Sequence, residues 1–236
     1  MSKNRLVQSR DMSPIRQTSP PLSTRRNRKI LLKNDKYENI SLQRGRKMVD
    51  LIELHQYFIL QHLKEGDTAV DFTMGNGGDT LFLSRTVGEK GKVYAFDIQE
   101  EARTSTRAHL VANGAPENYT LIHDSHHKVK DYVKEPIKAG MFNLGYLPRS
   151  GKKSVTTLRE TTFPAVEAGI DLLAPDGVLL VAIYPGHEEG RLEGEMLREY
   201  LATLNRFRLC ASEFRILNSP TCPYFFLIEK KADTKA

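Results

Sequence analysis

The sequence predicts an α/β fold in which a mostly parallel sheet is covered by helices on both faces. Short apolar, β-branched runs alternate along the chain with longer segments whose apolar residues recur at helical spacing. The last two predicted strands, 207–217 and 224–231, have no helix between them and are joined by a short link that contains Pro220. A length of 236 residues, of which 39% are hydrophobic and 27% charged, suffices for one large core.

The first predicted element is a helix over residues 48–64, ahead of any strand. Its apolar residues recur every three or four positions, and Gly66 follows as a stop signal. His55 lies within this helix, and we expect that it could close over a ligand. The apolar positions that carry the pattern are Leu51, Leu54, Tyr57, Phe58 and Leu63.

Strands and helices then alternate in a regular order. The predicted strands are 68–73, 92–98, 118–123, 139–146, 177–184, 207–217 and 224–231. The predicted helices are 79–87, 99–114, a weak segment that ends near residue 135, 155–175 and 188–205. Five strand–helix units followed by a β-hairpin are the layout of class I methyltransferases. The expected fold is therefore Rossmann-like, with a seven-stranded, mostly parallel sheet and an antiparallel strand from the C-terminal hairpin.

The charge is distributed unevenly between two parts of the chain. Residues 1–48 contain 13 Lys and Arg but 3 Asp and Glu, a net charge of +10, whereas the rest of the chain has a net charge of −4. We expect a basic, disordered tail over residues 1–47 and a methyltransferase domain over residues 48–236. A basic arm favours polyanionic partners such as nucleic acid, although a passive solvated tail and an organellar targeting segment are alternatives.

Composition excludes several classes of protein. The sequence has no run of eighteen apolar residues and no apolar segment after its N-terminal charges, so we expect no membrane span and no secretory signal. Cys210 and Cys222 are too few for a disulfide framework or a four-ligand zinc site, and no metal-ligand spacing is present. We expect a cytoplasmic protein, with an organellar location as the alternative. A homodimer is the commonest assembly, but no decisive interface stripe is visible.

A glycine-rich turn follows the first predicted strand. Asp71 lies at the end of this strand, and Gly75 and Gly77 allow the backbone to turn tightly and to approach a ligand closely. Asp97 ends the second strand, 22 residues after Gly75, which is the spacing at which an acidic residue meets ribose hydroxyls. Asp124 follows the third strand, and its carboxylate could accept a hydrogen bond from the amino group of adenine. A plain strand–helix turn and helix-capping aspartates are the alternatives.

The acidic side chains at these strand ends indicate which nucleotide is bound. A phosphate-containing ligand prefers a helix N-terminus with few acids nearby. Asp71, Asp79, Asp97 and Asp124 are instead expected to share one edge of the sheet, which suits a cationic ligand without phosphate. We therefore expect S-adenosylmethionine as the cofactor.

The acceptor is expected beside the fourth and fifth strands. Asn143 opens the run that ends the fourth strand and precedes Tyr146, a pattern similar to the Asn/Asp-Pro-Pro-Tyr loop of amino-group methyltransferases. The amide oxygen can hold a planar amine, and the aromatic ring can cover it. Asn143 could also serve only the loop backbone. Tyr184 and His187 follow the fifth strand, where His187 could contact substrate, relay a proton or simply cap a helix. A basic loop that could grip phosphates or be solvated contains Arg149, Lys152 and Lys153.

These motifs, taken in order, resemble one protein family. The segments GDTAVDFTMGNGGDTLFLSRTVG, VYAFDIQ, HDSH, FNLGYLPRSGKKSVTT, YPGHEEG and PYFFLIEK are similar to those of the MnmM/YtqB-type tRNA methyltransferases of bacteria, also labelled rRNA methylases. The resemblance runs from about residue 48 to 231. It implies S-adenosylmethionine-dependent methylation of the amine of 5-aminomethyl-2-thiouridine at the tRNA wobble position, 34, to give 5-methylaminomethyl-2-thiouridine, so the partner would be the tRNA anticodon loop.

The resemblance also implies roles for individual positions. The cofactor turn matches at Asp71, Thr73, Gly75, Asn76, Gly77, Asp79 and Thr80, the ribose and adenine side at Asp97, Gln99, Asp124, Ser125 and His126, and the acceptor at Asn143, Leu144, Gly145 and Tyr146. Phe72 stands where a small residue is common and Gly78 where His is common, so packing beside the cofactor should differ. The first 48 residues lie outside the family core.

Two other functions stay open from the sequence. An rRNA or small-molecule N-methyltransferase would use the same cofactor turn with another acceptor. A non-catalytic RNA-binding protein would keep the fold without the reaction, although the intact glycine turn and Asp97 argue against it.

Overall fold

The structure is a computed structural model that describes residues 50–144 and 159–232. The predicted tail therefore lies outside the described residues. The helices are α1 Leu51–His62, α2 Gly78–Val87, α3 Glu100–Ala112, α4 Val129–Tyr132, α5 Arg159–Leu172 and α6 Glu188–Ala202, and a 3₁₀ turn spans His126–Lys128. The strands are β1 Thr68–Asp71, β2 Lys92–Asp97, β3 Tyr119–His123, β4 Ile137–Leu144, β5 Leu173–Ile183, β6 Leu209–Phe214 and β7 Tyr224–Lys230. None of the helices in these two ranges is long and apolar enough to cross a membrane.

The strands form one seven-stranded sheet, which confirms the predicted fold class. Their order is β3-β2-β1-β4-β5-β7-β6. Neighbouring strands from β3 to β5 are parallel, whereas β7 inserts antiparallel between β5 and β6. The hairpin of β6 and β7 thus adds to the β5 edge, as the absence of a helix between these strands predicted.

One helix–strand boundary differs from the sequence prediction. The helix predicted to reach residue 175 ends at Leu172, and β5 begins at Leu173. Pairing explains the difference, because Leu173 lies opposite Ile137, just before the register with β4 shifts. Asp176 adopts a positive φ of 56° within this irregular stretch. Tertiary pairing therefore overrides the helical pattern of the local sequence.

The sheet separates two apolar layers. On one side, α1 and α2 cover the alternate residues of the central strands, with Ile59 and Leu83 completely buried. On the other side, α4, α5 and α6 cover the remaining residues, among them Phe142 and Val181. Successive strand residues point to opposite faces, so both faces of the central strands are buried and the strands are apolar throughout.

Phe72 belongs to the layer beneath α5. Its ring is fully buried and stacks on Phe142, with ring centroids 4.0 Å apart and planes 10° apart. Two glycines leave room for it: a Cβ on Gly140 would lie 2.9 Å from Phe72 Cε2, and a Cβ on Gly169 would lie 3.3 Å from Phe72 Cζ. The Phe72 side chain thus fills the core beneath α5.

Candidate functional site

The candidate site lies where the strand order reverses. β1 and β4 are neighbours in the sheet, but the chain leads from β1 to β2 on one side and from β4 to β5 on the other. The chain segments that follow β1 and β4 therefore diverge from the carboxyl ends of these strands. The crevice between such segments is the usual place for a ligand in an open α/β sheet.

A tight turn after β1 forms the floor of this crevice. Gly75 and Gly77 adopt positive φ values of 51° and 84°, which side chains other than glycine rarely accept. The turn also packs closely against α3, because a Cβ on Gly77 would lie 3.0 Å from Thr106 Cγ2. The hydroxyl of Thr106 donates to the carbonyl of Gly75 at 3.0 Å. Asn76, at the exposed tip, accepts from the Ser105 hydroxyl at 3.2 Å.

Asp71 braces the turn from below. The side chain is completely buried and accepts hydrogen bonds from the Thr80 hydroxyl at 2.6 Å and from the Thr73 backbone N–H at 3.1 Å. Burial, and then the nearby carboxylate of Asp79, raises the pKa of Asp71. Both oxygens of Asp71 thus have partners inside the protein, and its observed contacts shape the turn and the start of α2.

Asp97 connects the end of β2 to the same turn. One carboxylate oxygen accepts from the Gly75 N–H at 3.1 Å and the other from the Gln99 N–H at 2.9 Å. The side chain is half-buried, and burial raises its pKa. The Ile98 N–H also hydrogen-bonds this carboxylate. A carboxylate has about four lone-pair sites, so Asp97 can still accept a hydroxyl group.

The loop after β3 is held by charge and by a buried histidine. Asp124 accepts from Lys128 Nζ at 2.9 Å and from the Tyr132 hydroxyl at 2.8 Å, and the bond to Lys128 contributes most to lowering its pKa to about 2. His126 Nδ1 lies 3.2 Å from the Phe72 carbonyl, which can only accept, so Nδ1 is the donor. Burial lowers the pKa of His126 to about 4, so the ring is neutral at pH 7. Ser125 pairs with His127 Nδ1 at 2.8 Å.

Asn143 joins the elements that border the crevice. Its Nδ2 donates to Asp79 Oδ2 at 2.6 Å, and its backbone N–H donates to the Thr73 hydroxyl at 2.7 Å. The Tyr184 hydroxyl lies 3.5 Å from the amide oxygen. Among the described residues, the amide therefore contacts side chains of α2 and of the residue that follows β5. Because Nδ2 donates to Asp79, the amide atom that can accept a hydrogen bond from a ligand is Oδ1.

His187 caps α6 at its N-terminus. Its Nδ1 accepts from the Gly190 N–H at 3.1 Å, which satisfies one of the amide groups that the first helical turn leaves without an intrahelical partner. Gly190 is required there, since a Cβ would lie 2.3 Å from the Tyr184 carbonyl. The capping alternative that the sequence left open for His187 is the arrangement observed.

Several predicted residues lie elsewhere. Leu144 is completely buried in the α5 layer, because alternation along β4 places it on the face opposite Asn143. His55 is also buried, with its ring edge-on to Phe225 at 4.5 Å, and burial lowers its pKa to about 4. The predicted catalytic residue Tyr146 lies outside the described residues, as do the predicted substrate residues Gly145, Arg149, Lys152 and Lys153. Among the described residues, no group of three or more His, Cys, Asp or Glu side chains could hold a metal ion.

The sequence does not predict two contacts of the site. Thr106 supports the glycine turn from α3, and Asp79 holds the Asn143 amide although 64 residues separate them. Thr106 lies in the interior of a helix, and a threonine at such a position is only a weak indication that it contacts the glycine turn. No local signal pairs Asp79 with Asn143, because their proximity depends on the adjacency of β1 and β4.

Comparison with known proteins places these features in one family. The model of a family described as "Putative rRNA methylase" matches residues 93–230. A curated relative, the chloroplastic tRNA (mnm(5)s(2)U34)-methyltransferase of Arabidopsis thaliana, is 36% identical over 181 residues, which are 72% of this chain and 66% of the relative. The chain thus spans about two thirds of the length of that relative.

Solved structures agree with the same grouping. A Clostridium thermocellum protein with the same rRNA methylase description is 38% identical with a TM-score of 0.75, and the match covers 78% of this chain and 100% of that one. A Streptococcus mutans protein described as a methyltransferase, solved in complex with S-adenosylhomocysteine, is 36% identical with a TM-score of 0.70 over 78% of this chain and 99% of that one.

Proposed function

Because the chain belongs to the rRNA methylase family and is an S-adenosylmethionine-dependent methyltransferase, we propose that it methylates the amine of 5-aminomethyl-2-thiouridine at position 34 of tRNA. The product is 5-methylaminomethyl-2-thiouridine. The observation that carries the proposal is the Asn143 amide: its nitrogen donates to Asp79, and its oxygen, 3.5 Å from the Tyr184 hydroxyl, is the atom that can accept an amine N–H. The activity named for the plant relative supports this acceptor.

The residues of the crevice fit the proposed cofactor. Asp97 offers a carboxylate for ribose hydroxyls, and the turn at Gly75 and Gly77 provides a close backbone approach. The loop with Asp124, Ser125 and His126 lies on the adenine side. Asp71 is buried and Asp124 is paired with Lys128, so the carboxylates that suit the sulfonium and ammonium charges are those of Asp79 and Asp97. When bound, S-adenosylmethionine supplies an electrophilic methyl group.

The protein's contribution to the reaction is mainly orientation of the acceptor. Asn143 Oδ1 accepts one N–H of the neutral amine, and this hydrogen bond aims the nitrogen lone pair along a fixed direction. Asp79 keeps the amide from turning over, since the reversed amide would present a donor to the amine. The Tyr184 hydroxyl borders the same oxygen and narrows the space for the acceptor. The proton lost after methylation leaves to water, so no protein base is assigned to the step.

The direct test is mass spectrometry of tRNA nucleosides after incubation with the purified protein and S-adenosylmethionine. We expect the methylated nucleoside to form on tRNA that carries the aminomethyl group and not on tRNA that lacks it. Equal methylation of both tRNAs would reject the proposed acceptor. Methylation of rRNA alone would indicate the rRNA alternative, and failure to bind S-adenosylmethionine in calorimetry would indicate a non-catalytic RNA-binding protein.

Asp97→Ala should weaken S-adenosylmethionine binding by about 1–3 kcal/mol, the range for losing a hydrogen-bond partner with charge. The variant also removes the acceptor of the Gly75 and Gln99 amides, so the turn should loosen. Isothermal titration calorimetry measures the effect. Asp131→Ala is a matched control, because Asp131 is an exposed carboxylate on α4. Equal affinities of the Asp97 variant and wild type would contradict the ribose assignment.

We also propose the division into a basic tail, residues 1–47, and a catalytic domain, residues 48–236. The tail's charge should strengthen tRNA association by releasing counterions. Deletion of residues 1–45 should therefore raise the tRNA dissociation constant and flatten its dependence on salt, as measured by fluorescence titration. A passive or targeting tail would leave both quantities unchanged.

A further inference from the structure

A cluster of cations surrounds an exposed aromatic ring at the end of the sheet opposite the candidate site. Arg206, Phe207 and Arg208 form the turn between α6 and β6, and Phe207 is 83% exposed. Lys231 lies beside them, because its backbone N–H donates to the Arg208 carbonyl at 2.9 Å. We call these four residues the basic end surface. β6 begins at this surface and β7 ends there, so it adjoins the amino ends of the parallel strands.

The cations of this surface are not neutralised by the part of the protein that the structure describes. Within residues 50–144 and 159–232, the side chains of Arg206, Arg208 and Lys231 form no ion pair. Asp171, Asp176 and Glu229 line the cavities beside this surface and have other partners. Asp171 pairs with Lys130 at 2.8 Å, and Glu229 pairs with His62 at 3.3 Å.

The candidate site presents the opposite arrangement. Its edge of the sheet is acidic, and the basic residues described there are already engaged by carboxylates. Arg159 pairs with Glu189 at 3.0 Å, and Arg191 pairs with Glu195 at 2.6 Å. Arginines that are paired with carboxylates attract phosphates weakly. Arginines and lysines without such a pair neutralise phosphates of an RNA backbone and release its counterions.

From this contrast we propose that the basic end surface is a second RNA-binding surface, which holds the body of the tRNA while the anticodon loop occupies the candidate site. Arginine and lysine side chains bind phosphates without reading sequence, and an exposed phenylalanine offers a stacking face to an unpaired base. The inference rests on the proposed function, since it assumes a tRNA substrate. It adds an interaction that a short anticodon stem-loop does not reach.

The test compares the full chain with two variants that remove the same charge. The surface variant is Arg206→Gln, Arg208→Gln and Lys231→Gln, and the control variant replaces three exposed cations outside the basic end surface: Lys90→Gln, Arg107→Gln and Lys134→Gln. Fluorescence titration gives the dissociation constants for full-length tRNA and for the isolated anticodon stem-loop over a range of salt concentrations. Single-turnover methylation of the stem-loop reports whether each variant is folded and active.

We expect the surface variant to weaken tRNA binding about tenfold and to reduce the slope of log K against log salt by about 3, roughly one unit for each phosphate that is no longer neutralised. Affinity for the stem-loop and its methylation rate should stay within about twofold of wild type, as should every property of the control variant. A separate Phe207→Ser variant should weaken tRNA binding about fivefold or more because a stacking face is removed, with the salt slope unchanged.

Other results overturn the proposal in distinguishable ways. Unchanged tRNA affinity in the surface variant rejects the surface, and equal weakening by the control variant shows that net charge alone is responsible. Loss of a dimer in sedimentation, with tRNA affinity kept, assigns the surface to a second copy of the chain. If wild type methylates neither RNA, the proposed function fails, whatever the binding data show.

Discussion

Replacing Asn143 with alanine should lower kcat for tRNA methylation about 100-fold, while the affinity for S-adenosylmethionine stays within about threefold of wild type. The amide oxygen is the group that we assign to the amine, and its hydrogen bond fixes the direction of the attacking lone pair. Without it the amine still enters the crevice but adopts many orientations. Single-turnover kinetics with saturating cofactor measures this loss apart from binding.

The position of Asp79 allows a sharper version of this experiment. Asp79 Oδ2 accepts from the Asn143 Nδ2 group at 2.6 Å and thereby sets which face of the amide meets the substrate. Asp79→Asn can donate as well as accept, so the Asn143 amide can turn over, and kcat should fall as in Asn143→Ala. The two substitutions remove one function, so the double variant should be no slower than the slower single variant.

Tyr184→Phe serves as the matched control. Its hydroxyl lies 3.5 Å from Asn143 Oδ1, too long for a strong hydrogen bond, so its removal should lower kcat less than about fivefold. If Asn143→Ala turns over at the wild-type rate, the acceptor has been misplaced. If Tyr184→Phe is as slow as Asn143→Ala, the tyrosine hydroxyl is also needed to orient the acceptor, and the assignment to Asn143 and Asp79 alone is wrong.

The candidate site shows which parts of a fold a sequence can predict. The 22-residue spacing between Gly75 and Asp97 predicts a carboxylate for ribose beside the glycine turn. The structure places Asp97 against that turn, where it accepts from the Gly75 N–H, because both residues belong to one strand–helix–strand unit. The β-hairpin after α6 was equally predictable from the missing helix. The bond between Asp79 and Asn143 was not, since it joins elements that only the complete sheet brings together.

Side-chain direction was the other limit. A one-residue step along β4 separates Asn143, which faces the crevice, from Leu144, which lies in the core. Motif resemblance assigns both to the acceptor because it follows the chain and does not distinguish the faces of a strand. The same limit applies to Phe72, which adjoins the glycine turn in sequence but packs beneath α5 in space.

Phe72→Ala should reduce the free energy of unfolding by about 3–5 kcal/mol, the range for deleting a buried aromatic ring. The ring stacks on Phe142 and lies over Gly140, so its loss leaves a cavity between β1, β4 and α5. Urea denaturation measures the change. Gly140→Ala should also destabilise, by about 1–3 kcal/mol, because the new Cβ would lie 2.9 Å from Phe72 Cε2 and 2.5 Å from Leu179 Cδ1.

The two substitutions should compensate each other when combined. In the absence of the Phe72 ring, the methyl group that Gly140→Ala introduces meets mainly the flexible end of Leu179 and fills part of the cavity. The double variant should therefore be more stable than the sum of the single effects, with a coupling of about 0.5–3 kcal/mol. Leu110→Ala on α3 provides the control pair with Gly140→Ala, and those effects should add within about 0.5 kcal/mol. If the stability effects of Phe72→Ala and Gly140→Ala also add, the absence of a side chain at Gly140 is not what accommodates the Phe72 ring.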